Sequence, residues 1–169
     1  MAQIEKSELP LEDALSAFIG PVLRHWRDIS SGKPVANYKD FRPEEIGAAL
    51  SHVALIELKP NESGQNLFLR LVGDEVKNAT LGLVKGAYIE NVQPDWYRDF
   101  TVNCYRDAFE HAEPQFQDIQ TLYQGQKFSY RRLLLPMTSD GETVDLMLAA
   151  TQRSEELRNY MSAQERTFK

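Results

Sequence analysis

The sequence predicts an α+β fold, and three observations carry that prediction. Apolar residues from Leu11 to Ile29 recur in steps of three and four, the spacing of one helix face. From Ser51 onward the period changes to short apolar runs bounded by Pro, Asn and Gly, as in strands joined by tight turns. A longer helical stretch, residues 95–112, then separates two early strands from three late ones.

The first helical stripe runs through Leu11, Leu15, Phe18, Val22, Trp26 and Ile29. Gly20-Pro21 interrupts it. A proline inside a helix removes a backbone hydrogen bond and clashes with the preceding turn, at a cost of about 3 kcal/mol. The stripe is therefore expected to kink, or to divide into two helices with Pro21 opening the second. Gly32 and Pro34 stop it. A short helix starts at Pro43, where proline is tolerated and Glu44 and Glu45 complement the positive helix end, and runs through Leu50.

Residues 51–59 (SHVALIELK) read as a strand and 60–64 as a turn; residues 66–73 (NLFLRLVG) complete an antiparallel hairpin. Short helical pieces broken by Gly73, Gly82 and Gly86 come next. In the longer helix, Trp96, Phe100, Cys104 (or Val102), Ala108 and His111 fall near one face. Residues 115–123 (QFQDIQTLY) and 127–137 (KFSYRRLLLPM) are strands around Gln124-Gly125-Gln126, and 143–152 (TVDLMLAATQ) is the last strand. The tail from Arg153 is polar and is expected to fray or to form a short helix.

Composition narrows the function. At 169 residues, 42% hydrophobic and 26% charged, the chain is the size of one domain with a real core. A net charge of −6 repels phosphate backbones, and no Lys/Arg cluster offsets it, so no nucleic-acid partner is expected. Cys104 is the single cysteine, which excludes an internal disulfide framework and fits a reducing, cytoplasmic setting. The segment MAQIEKSELPLED is acidic where a signal peptide is basic, and no window approaches the ~18 uninterrupted apolar residues of a membrane span.

Three segments carry a resemblance to a known family. They are residues 25–58 (from HWRDISSGKP to VALIEL), 68–76 (FLRLVGDEV) with 81–92 (LGLVKGAYIENV), and 131–150 (RRLLLPMTSDGETVDLMLAA). In this order they resemble the PAS domains, in particular stand-alone bacterial members, of the alphaproteobacterial type, with an N-terminal helical extension. The resemblance implies a five-stranded antiparallel sheet in the order 2-1-5-4-3, with helices on one face. It implies three regions: a helical extension over 1–35, a PAS-like domain over 36–152 and a polar tail over 153–169. It also implies a sensory or regulatory module that binds a small ligand or a protein partner and commonly dimerises through its N-terminal helix. It names no ligand, and fold alone assigns no function.

Candidate chemistry is sparse. Cys104 lies in VNCYRD, superficially like a flavin photoreceptor motif, but one element too late along the chain; a buried structural thiol is the plain reading. His111, at the end of the longer helix, stands where haem-binding PAS domains place a ligand, yet a local interaction with the helix end accounts for it. No cofactor is expected, haem and flavin included, and no spacing of His, Cys, Asp or Glu fits a metal. No nucleophile elbow or phosphate loop is present, and the chain is not expected to be an enzyme. A cavity enzyme of the ketosteroid isomerase type needs a buried acid beside a tyrosine, and Asp118 near Tyr123 and Tyr130 is the nearest approach.

Two features stand out. Tyr88, Trp96, Tyr97, Phe100 and Tyr105 form an aromatic set around the longer helix, where the resemblance places a cavity against the sheet. Tyr88, Trp96, Phe100 and Cys104 are its candidate lining. Arg70 and Arg132 join them if their strands turn them inward, where a guanidinium fork meets a carboxylate or phosphate. Facing outward they are merely solvated, and the run LLLP hides which alternative holds. The second feature is the amphipathic stripe. Leu15, Phe18, Val22 and Trp26 must be covered by their own sheet or by a second subunit, and burial stabilises by about 1.5–3 kcal/mol each before entropic costs. A two-fold homodimer and a separate signalling protein are the expected partners. A ligand-free interaction adaptor is the alternative reading.

Overall fold

The computed structural model describes residues 2–77 and 82–154. The polar tail beyond 154 lies outside the described residues. Backbone sterics divide the N-terminal stripe at Gly20-Pro21, as its sequence requires. Leu11–Ser16 is a 3₁₀ helix and Gly20–Ser30 (α1) an α-helix, with Pro21 in its first turn. The corner is tight. A Cβ on Gly20 would lie 2.4 Å from the Leu15 carbonyl oxygen. α1 ends at Ser31, whose left-handed φ of 52° is followed by Gly32.

Seven strands form one sheet. They are Gln3–Leu9 (β1), Ala36–Asn37 (β2), Val53–Leu58 (β3), Leu67–Val72 (β4), Gln115–Tyr123 (β5), Gln126–Thr138 (β6) and Val144–Arg153 (β7). Hydrogen-bonded neighbours run β1-β5-β6-β7-β3-β4, all antiparallel, while β2 makes a short parallel pairing with β6. Among the described residues, two α-helices lie between β4 and β5, Asp74–Lys77 (α2) and the longer Asp95–His111 (α3), with a 3₁₀ turn at Ile89–Asn91 between them. The segment Pro43–His52 is a 3₁₀ helix broken at Gly47.

Two expectations need correction. The sheet has seven strands where five were expected, because residues 3–9 pair with β5 and residues 36–37 with β6. The N-terminal region is therefore not helical throughout. β1 presents little apolar alternation: five of its seven residues are polar, and only Ile4 and Leu9 are half-buried. Its stabilisation comes from backbone pairing along β5.

The helices, in turn, cover both faces of the sheet. On one face, Val22, Leu23 and Trp26 of α1 join Ile46 and Ala49 over Val53, Leu55, Leu133, Leu135 and Leu148. On the other, Val102, Tyr105 and Ala108 of α3 pack with Ile89 and Val92 over Ala54, Ile56, Leu134 and Met147. Alternation along each strand feeds both cores, which is why VALI and LLLP read as unbroken apolar runs. No helix among the described residues is long and apolar enough to cross a membrane.

Candidate functional site

α3 lies against β6 and β7 and leaves a cavity of about 20 Å³ beneath it, room for one water. Simple periodicities build the wall. Tyr97, Thr101 and Tyr105 repeat every four residues on one face of α3. Tyr130 and Arg132 alternate on β6, and Thr151 and Arg153 on β7. Ala54, Leu69 and Ile89 close the apolar side.

Arg132 dominates this site. It is 2% exposed, and it is paired across the sheet with Gln117 and Thr151. Its Nη2 donates to Gln117 Oε1 at 3.2 Å. The guanidinium carbon lies 5.4 Å from the Tyr105 ring centre and 6.0 Å from that of Tyr130. Nε is buried without a partner, as is the Thr101 hydroxyl. No ion pair among the described residues involves Arg132.

Magnitudes show what is missing. Removing a guanidinium from water costs several kcal/mol even after relaxation. A cation–π contact returns about 0.5–2 kcal/mol, and a hydrogen bond to a charged group about 1.5–3. Two distant ring contacts and one amide bond leave the charge under-compensated. It stays charged nonetheless: burial disfavours the cation, but coupling to Tyr130, Cys104, Tyr105 and Tyr97 outweighs this and holds its pKa above the ordinary arginine value. Burial drives the phenols of Tyr105 and Tyr130 well above their usual range, with Arg132 only partly opposing it. Both therefore remain protonated donors at neutral pH.

Gln117 links this cation to the sheet edge. The amide is wholly buried, and its Nε2 donates to Glu8 Oε1 at 3.1 Å and to Gln115 Oε1 at 2.9 Å. A chain of hydrogen bonds thus runs from the cavity through β5 to the exposed carboxylate on β1.

The sequence-derived candidates divide sharply. Arg132 lines the cavity, and the solvated alternative for it is overturned. Arg70 does not line it: it is part-exposed, 3.9 Å from Glu57 and stacked 4.7 Å from the Tyr38 ring. Tyr88 is half-buried, packs edge-on against Phe68 and donates its hydroxyl to the Lys59 carbonyl at 3.0 Å. Trp96 packs on Tyr97 and Tyr123, with its indole Nε1 buried and unpartnered. Phe100 is half-buried and Cys104 is a buried free thiol, and neither lines the cavity. The stripe 96-100-104 was one residue out of phase with the lining stripe 97-101-105. Helical period alone cannot separate them, because each carries two aromatics and one small side chain.

Other candidates disperse. Asp118 pairs with Arg131 at 3.8 Å on the face opposite Tyr130, so no acid–tyrosine pair forms there. His111 is exposed, with Nδ1 2.8 Å from the Asp107 carbonyl. Among the described residues no group of three His, Cys, Asp or Glu could hold a metal. Val22 and Trp26, expected at a dimer contact, are buried on the chain's own sheet, and Trp26 Nε1 donates to the Pro136 carbonyl at 3.0 Å. Phe18 is 51% exposed, and with Leu15 it borders an open groove of about 520 Å³ beside Pro21, Ile46 and Gly47.

Compared with known protein families, with curated proteins and with solved structures, the chain matches none.

Proposed function

We propose that the chain is a non-catalytic regulatory module of the PAS kind, binding a small molecule beneath α3 and reporting its presence to a protein partner in the cytoplasm. The observation that carries this reading is Arg132, a fully buried cation lining a cavity without an acidic partner among the described residues. The neighbour order of the five strands from Val53 onward supports it: β4-β3-β7-β6-β5 is the 2-1-5-4-3 arrangement implied by the family resemblance. α3 lies over the sheet with the cavity between them, where a PAS ligand would sit.

Native mass spectrometry of the unrefolded full chain tests this. A mass excess that disappears on denaturation, or a spectral change when metabolite extracts are added, is the expected result. A native mass equal to the chain mass, with no response to any extract, overturns it.

A second reading, self-association with or without a ligand, draws on the groove beside Phe18. With Val22 and Trp26 committed to the chain's own core, a dimer through this region would use Phe18 and Leu15. Sedimentation should then give a dimer that Phe18→Ser converts to a monomer; a monomer in both samples removes the dimer from the proposal.

A further inference from the structure

We infer that the cavity beneath α3 takes a planar oxyanion, a small carboxylate or an inorganic anion of the same shape, held by the Arg132 guanidinium. This deepens the ligand-binding reading above and rests on it.

The sign of the site is the first argument. Among the described residues, the charged side chains lining the cavity are Arg132 and Arg153, and no Asp or Glu lines it. This positive pocket sits in a chain of net charge −6, so its sign is local and not inherited from the whole. Arg153 is anchored through Nη1 to the Glu75 carbonyl, whereas Arg132 has a buried Nε with no acceptor.

The donor set is the second. The orphan hydroxyl of Thr101 is also buried, and Thr101 lines the same cavity. The phenols of Tyr105 and Tyr130 share the cavity wall and keep their protons through burial. Each of these groups can donate to an anion. A guanidinium edge matches two coplanar oxygens, which a carboxylate, nitrate or bicarbonate presents and a halide does not.

Size is the third. A cavity of about 20 Å³ holds one water as it stands, so its wall must give way a little even for formate and far more for a phosphate ester, which favours the smallest carboxylates. A longer ligand would have to present its carboxylate here and displace the apolar wall.

The test is a titration of the full chain with sodium formate, acetate, nitrate and chloride, and with neutral acetamide, at constant ionic strength. The readouts are the melting temperature and the Arg132 Nε–H resonance. Formate or acetate should raise the melting temperature saturably and move that resonance, and Arg132→Met should weaken binding by about tenfold to a hundredfold. Arg132→Lys, which keeps the charge without the fork, should retain only part of the affinity. Preference for carboxylates over nitrate identifies an organic ligand, and the reverse identifies an inorganic one.

An equal response to chloride, or a response unchanged in Arg132→Met, overturns the inference. Binding of a neutral molecule in native mass spectra without any anion response also overturns it, while leaving the ligand-binding reading standing. No anion response and no bound mass overturn both.

Discussion

Arg132 is a buried cation on the α3 side of the sheet, where stability and the proposed recognition pull in opposite directions. A buried cation with one amide bond is costly, and an apolar replacement of similar length removes that cost. Arg132→Met should therefore raise the free energy of unfolding by about 1–4 kcal/mol in ligand-free protein, measured by urea denaturation. Gln117→Leu should do the reverse, costing about 1–3 kcal/mol because the guanidinium loses its amide acceptor. The tyrosines add a pH dependence. Tyr105 and Tyr130 titrate above the unfolded phenol value of about 10. Above that pH the unfolded chain releases protons that the folded chain retains, so stability should fall as pH rises. Ultraviolet titration should show these two phenols ionising only as the protein unfolds; ionisation with the folded population intact would refute their burial. Residue identity was legible in the sequence here, but orientation was not. LLLP could not show which way Arg132 faced, because helices covering both faces make every position from Leu133 to Met137 apolar.

Among the elements, α1 and the turn after β4 were the easiest to anticipate. Gly20-Pro21 forces a break, and Pro21 opens the helix beyond it, by backbone sterics that no tertiary contact can override. Trp26 anchors that helix to β6, so Trp26→Ala should destabilise by about 3–5 kcal/mol through its cavity and the lost bond to Pro136. Gly73 is as constrained. A Cβ there would lie 2.4 Å from the Ser51 carbonyl oxygen and 2.6 Å from that of Leu50, so Gly73→Ala should lower the melting temperature markedly. A melting temperature unchanged in this variant would mean the turn can open without cost. β1 was illegible for a different reason. An edge strand with Glu5, Lys6 and Glu8 along it offers no hydrophobic period, and what fixes it is a partner far away in the chain.

At the scale of the molecule, one sheet serves two cores. α1 and the 3₁₀ helix from Pro43 cover one side and α3 the other, so substitutions on opposite faces of β6 or β7 meet different neighbours. Leu135→Ala and Leu134→Ala should each cost about 2–5 kcal/mol, and only the second, on the α3 side, should alter anion affinity. Equal effects on binding from both faces would show that the sheet transmits strain between them. The α+β class and most strand positions followed from period and turn chemistry. The double covering did not, since a helix stripe states that it must be buried without stating against what.

The pairing of β1 with β5 has a consequence for how the molecule comes into being. Glu8 and Gln117, which share a hydrogen bond, are 109 residues apart. During synthesis at about 5–20 residues per second, β1 waits on the order of ten seconds before its docking strand exists. Its loop spans more than a hundred residues while the hairpins of β5, β6 and β7 are local, so β1 is expected to dock after they form. Until then the outer edge of β5 is bare and Gln117 lacks its carboxylate. The hydrogen-bond chain that backs Arg132 is thus complete only once β1 has returned to the sheet.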